Sequence, residues 1–204
     1  MTVEHWGLLS TRSMTWNESF TRAGMFLSLV TGSVVALALV AQATDFGEGF
    51  LLFASLLLPV VLFVGASTFV RLVQVNNEDT RWIQGLNRLR AGYVEMDPGL
   101  RPYLVTGWTE DTSGLMRSFG AKPGKRPNPF HAFVTTPVMV AIVDAMLAAV
   151  LIGLLAFNAT GDEMWAAGAG AVVFVASMGL ALGYGWRNSV GFMTEMHRDD
   201  DLPD

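Results

Sequence analysis

The chain has 204 residues, 51% of them apolar and only 15% charged, with a net charge of −5 and a mean hydropathy of +0.41. Soluble domains carry about a quarter of their residues as Asp, Glu, Lys and Arg; here the missing charge leaves long windows with none, which excludes a soluble globular protein. The absence of cysteine excludes disulfides, thiolate metal sites and a cysteine nucleophile.

Residues 1–23 form an N-terminal segment carrying Arg12 and Arg22. Four apolar stretches follow along the chain: residues 24–43 and 49–70 without a charge, 137–157 interrupted only by Asp144, and 164–186 again without a charge. A hydrocarbon core of about 30 Å needs about 20 helical residues, so each stretch is long enough to cross it. The expected fold is an all-α polytopic membrane protein with hairpins at 24–70 and 137–186. Arg12, Arg22 and the Ala41-Gln42-Ala43 tripeptide mimic a signal peptide. The first stretch exceeds the 7–15 residues of an ordinary signal-peptide core, which favours an uncleaved helix. Pro59 predicts a kink in the second span.

Orientation follows from the cations. Nine of the 13 Lys and Arg lie in the central segment 71–136, two before the first span and two in the tail 187–204. The loops 44–48 and 158–163 have none. The positive-inside bias predicts cytoplasmic termini and a cytoplasmic central segment, with two tight turns outside, as in a bacterial inner membrane.

The second span meets no strong breaker before Asp97-Pro98-Gly99, so its helix is expected to extend into the cytoplasm as far as Met96. Within that extension Leu72, Val75, Asp79, Trp82, Leu86, Leu89, Tyr93 and Met96 recur at steps of three and four. This is an amphipathic heptad stripe with Asp79 as its one polar member. Three readings are open. The stripe packs on its own central segment, with Leu104, Leu115, Met116 and Phe119 as cover. It self-associates, with Asp79 setting register. Or it docks another membrane protein. Gly85 and Gly92 each weaken a coiled coil by about 1 kcal/mol relative to Ala.

The run Asn76-Asn-Glu-Asp-Thr-Arg-Trp-Ile-Gln-Gly-Leu-Asn-Arg-Leu-Arg90, with Glu95 and Pro102-Tyr103 after it, resembles uncharacterised small four-helix membrane proteins of high-GC bacteria. The resemblance covers roughly a fifth of the chain and implies no activity and no functional residue.

Further on, the proline-rich stretch 122–129 bars regular structure and reads as a basic strap. Its Lys122, Lys125 and Arg126 are placed to meet anionic lipid headgroups, at about 1 kcal/mol each. Thr136 before Pro137 reads as the N-cap of the third span.

Asp144 is the one ionisable acid within a span, and intramembrane acids are functional by default. No Lys, Arg or His lies in any span. Arg71 and Arg187 flank the spans, and Ser28, Thr31, Ser33, Ser67, Thr68 and Ser177 are candidate hydrogen-bond partners. A structural hydrogen bond and a proton, cation or pore-lining role are both open. In the fourth span, Gly179 and Gly183 form a small-residue helix-packing face, with Gly32 and Gly65 as matching notches; packing within the bundle is expected, with contact between protomers as the alternative. His197 with Asp199, Asp200 and Asp201 reads as a solvated acidic tail, and no metal or cofactor is expected.

No G-x-S-x-G, phosphate loop or H-E-x-x-H is present, and acids interleave the basic residues, which argues against nucleic acid. The leading expectation is a non-enzymatic accessory or scaffold subunit that uses the cytoplasmic stripe. The alternative is a homo-oligomeric channel or membrane effector with Asp144 lining a pore or hydrated crevice. A lipid-directed enzyme using Glu78, Asp79, Arg81 and Arg88 ranks last, since such neighbours are ordinary ion pairs on a solvated helix.

Overall fold

The computed structural model describes residues 2–109, 111–120 and 135–199, with residues 112 and 189–199 as backbone alone. The described residues are helical throughout, with no strand. The chain runs α1 (Thr2–Thr44), α2 (Glu48–Met96), a 3-10 helix (Pro98–Tyr103), α3 (Thr112–Ser118), α4 (Thr136–Thr160) and α5 (Glu163–Asp199). Four helices are long and apolar enough to cross a membrane, the fourth over Glu163–Asn188.

The ends of these helices have local causes. Between α1 and α2, Asp45 and Phe46 take positive φ of 48° and 56°, and the Phe46 N–H donates back to the Ala41 carbonyl at 3.2 Å. Left-handed backbone is strained for a bulky residue, and the Phe46 ring is held edge-on to Phe50 at 5.3 Å. α2 continues through Pro59 and stops at Met96. There the Asp97 carboxylate accepts the Gly99 N–H at 2.8 Å and starts the 3-10 helix. Gly161, at φ 68°, closes α4, and its N–H donates to the Phe157 carbonyl at 2.7 Å. The Asp162 carboxylate then caps α5 by accepting the Met164 N–H at 2.8 Å.

The N-terminal segment is helix from Thr2 onward, so α1 begins well before the apolar window. One expectation needs correction. The cap of α4 is Thr135 rather than Thr136, and it makes no side-chain cap hydrogen bond; Thr136 is already helical, with Pro137 in the first turn.

The chain divides into two compact units. Unit one comprises Met1–Ser19 and Gln74–Ala132, and unit two Phe20–Val73 and Phe133–Asp204. In unit two, Ala23 and Phe26 of α1 pack with Val61 and Leu72 of α2 and Val140 of α4. A second cluster joins Ala41 to Phe50, Ala54 and Leu58, with Leu147, Leu151 and Leu154 of α4 against it. α5 lies on α4 at small residues: a Cβ on Gly170 would sit 3.0 Å from the Ala149 carbonyl oxygen. Its outer side chains, among them Val172 and Val175, are exposed, as a lipid-facing surface requires.

In unit one, the first turns of α1 pack along the second half of α2. The Arg12 guanidinium grips the Asp79 carboxylate with Nε–Oδ1 at 2.7 Å and Nη2–Oδ2 at 3.4 Å. Leu8 lies over Gly85, where a Cβ would come within 3.2 Å of Leu Cδ1. His5 meets Tyr93 with ring centroids 6.1 Å apart.

Candidate intramembrane acid site

α4 turns one face inward, and Pro137, Val140, Ala141 and Ala145 on it are buried. Asp144 shares that face at helical spacing, about 12 Å along the axis from Thr136. Opposite it on α2 is Gly65. A Cβ there would fall on the Asp144 carboxylate, 2.6 Å from its Cγ, and 2.8 Å from Phe26 Cε2. The Gly65 notch therefore holds an acid rather than a facing glycine, and Gly65 is glycine because nothing larger fits between Phe26 and Asp144.

The Asp144 Oδ1 is buried and accepts no hydrogen bond. Several hydroxyls proposed as its partners are turned to their own helices: Thr31 donates to the Leu27 carbonyl, Ser33 to Leu29 and Ser67 to Val64, all at 2.8–2.9 Å. Beside Asp144 is a crevice of about 290 Å³. α2 contributes Ala66, Phe69 and Val70 to its lining, α4 Ala141, Ala145 and Ala148, and α5 Ser177, Leu180, Ala181 and Tyr184. The rings of Phe69 and Tyr184 stand 6.1 Å apart, inclined at 58°. An adjoining groove shares Leu180 and Tyr184 and adds Gly179, Gly183, Arg187 and Asn188. An acid in hydrocarbon is expensive unless a proton, a cation or a donor meets it, and the crevice offers room for one.

Gly179 and Gly183 are not packed as expected, since a Cβ on either would meet nothing within 4 Å. At the α4–α5 contact the close glycines are Gly153 and Gly170, where a Cβ would come within 3.4 and 3.0 Å of the facing backbone.

The α2 stripe is largely covered by its own chain. Leu72, Val75, Asp79 and Leu86 are buried, Trp82, Leu89 and Tyr93 are half-buried, and Met96 is exposed. Met116 and Phe119, expected to cover it, are themselves exposed; in unit one α1 supplies Leu8, Arg12 and His5 instead. The 3-10 helix and α3 region is tied down through Asn87, which is fully buried. The Asn87 amide donates to the Thr109 carbonyl at 3.2 Å, and its oxygen accepts from Ser118 Oγ at 2.9 Å and Arg90 Nη1 at 3.0 Å. Asp111 caps α3. Hydrogen bonds from the Thr109 hydroxyl, the Gly114 N–H and the Ser113 hydroxyl hold its carboxyl down to about 2. Burial, with Arg90 nearby, lowers the affinity of His5 for a proton.

Arg12 was named in the sequence only as an N-terminal cation, and Asn87, Phe69 and Tyr184 were not singled out. Arg12 had a signal, since His5, Leu8, Arg12, Thr15 and Ser19 recur at steps of three and four; the others had none. The strap residues Lys122, Lys125 and Arg126 and the tail residues Asp200 and Asp201 lie outside the described residues, and His197 and Asp199 are described as backbone alone. Among the described residues no three His, Asp or Glu side chains gather as a metal site would need.

No protein-family model, curated protein or solved structure matches this chain, so its function rests on the site itself.

Proposed function

We propose that this is a non-enzymatic integral membrane protein whose working group is Asp144, an acid that takes up a proton or cation in a crevice among α2, α4 and α5. The observation that carries this reading is a buried carboxylate oxygen with no hydrogen-bond partner on a residue that also lines unfilled space. A structural acid would have been given a donor, because an unsatisfied polar group in hydrocarbon costs several kcal/mol. The topology belonging to this reading has both termini and the α2 extension in the cytoplasm of a bacterial inner membrane, with the basic strap at the headgroups. The two turns without Lys or Arg support it.

An accessory or oligomeric role draws on a different surface from the one the stripe suggested. The stripe is mostly engaged by α1, whereas Gly179 and Gly183 leave an open small-residue face on α5 of the kind that helices use to approach one another in lipid.

Isotope-edited infrared spectroscopy in liposomes tests the first reading. The wild type should show an aspartic carboxyl band that changes between acid and alkaline buffer, and Asp144→Asn should lack that band while keeping its helical circular dichroism. Identical spectra from both proteins would make Asp144 a passive structural group.

A further inference from the structure

The walls around Asp144 say what kind of cation the crevice takes. Five of the eleven lining residues are alanine, from Ala66 on α2 to Ala181 on α5, and Val70 and Leu180 add further aliphatic surface. The two aromatic side chains are Phe69 and Tyr184, whose inclined rings stand 6.1 Å apart. An inorganic cation is poorly served here. Calcium and magnesium take about six or more oxygen ligands, and the lining supplies one carboxylate and the hydroxyls of Ser177 and Tyr184. A proton alone would leave the volume without a purpose.

A cation that carries its own hydrocarbon uses every part of the lining. The Asp144 carboxylate balances its charge. Phe69 and Tyr184 line the space beside it, where an aromatic ring can attract a cation, and the alanine walls remove its apolar surface from water. The volume of about 290 Å³ lies at the small end of the range of about 300–1,000 Å³ typical of small-molecule sites, which suits a single-ring amine rather than a drug-sized molecule. Arg187 lines the adjoining groove and not the crevice.

We infer that the crevice binds a small lipophilic organic cation, with its ammonium group at Asp144 and its apolar body against Phe69, Tyr184 and the alanines. This rests on Asp144 being the working group, as proposed above.

Equilibrium dialysis of radiolabelled benzyltrimethylammonium against the full-length protein in mild detergent provides the test, with neopentylbenzene, its uncharged isostere, as competitor. Binding should be saturable at a single site per chain. Asp144→Asn should weaken it by about a hundredfold or more, as breaking a desolvated charge pair does. Phe69→Leu should weaken it by about fivefold through loss of a ring face, and neopentylbenzene should not compete. Ala148→Phe, which fills the crevice, should abolish binding while the Asp144 carboxyl band persists. Equal binding by wild type and Asp144→Asn would overturn the inference. So would competition by neopentylbenzene, which would identify a hydrocarbon chain as the occupant. An intact, titrating carboxyl band with no cation binding removes the ligand assignment and leaves the Asp144 reading standing; absence of the band removes both.

Discussion

Asp79 is only 4% exposed, and the Arg12 guanidinium reaches it from 67 positions away in the chain. In the sequence the acid interrupts an apolar stripe and reads as a device for setting register between chains. Its partner lies in another helix and could not be read from the stripe's spacing. Breaking one side of such a pair costs more than the pair contributes, since the remaining ion is stranded. Arg12→Met should therefore destabilise the protein by about 2–3 kcal/mol, below the cost for a fully buried pair, because the Arg12 side chain retains 30% exposure. Arg12→Met combined with Asp79→Leu should recover most of that loss, as apolar replacement of a buried pair does. Thermal unfolding followed by circular dichroism in mild detergent measures both. A double variant no more stable than Arg12→Met would show that packing around Arg12, and not its charge, is what matters.

At the scale of the element, the two helices that build unit one were unequally legible. α2 announces itself by a mostly apolar stripe and by the Asp97-Pro98-Gly99 stop, and it does end at Met96. The start of α1 lies ahead of the apolar window, where four of the five positions at helical spacing are polar: His5, Arg12, Thr15 and Ser19 keep that spacing without hydrophobic periodicity. Thr15 and Ser19 are nevertheless buried, and the Thr15 hydroxyl is satisfied by the Thr11 carbonyl of its own helix at 2.9 Å. Gly85 shows the reverse error. It counted as a helix weakener of about 1 kcal/mol, yet it is where Leu8 finds space against α2. A single methyl there has only the flexible end of Leu8 to displace, so Gly85→Ala should change stability by no more than about 0.5 kcal/mol, helix propensity offsetting the closer contact. Gly85→Leu should cost about 1–3 kcal/mol by overpacking. Chemical denaturation of the two variants separates these outcomes, and a Gly85→Leu protein as stable as wild type would mean that Leu8 does not hold α1 to α2.

For the whole molecule, four charge-poor windows were enough to find the spans, because a membrane-crossing helix cannot conceal its composition. The division into two units was not legible, since each unit is assembled from separated stretches of chain. Asp144 was visible as an anomaly, but Phe69 and Tyr184 join it only through the packing of α2 and α5 onto α4. Topology is the property that the cation distribution predicts most directly, and the absence of native cysteine makes it accessible to single-thiol labelling without background. Glu48 begins α2 after the first turn, Glu163 begins α5 after the second, and Tyr103 ends the 3-10 helix of unit one; all three are exposed. Glu48→Cys and Glu163→Cys should react with a membrane-impermeant maleimide added to intact cells, whereas Tyr103→Cys should react only after lysis, because the turns carry no Lys or Arg and unit one carries most of them. The opposite pattern would place unit one outside and reverse the face from which the Asp144 crevice is reached. Labelling of Glu48→Cys and Glu163→Cys from different sides would be the more damaging result, since two hairpins that start from the same side must return to it, and four crossings would no longer describe the chain.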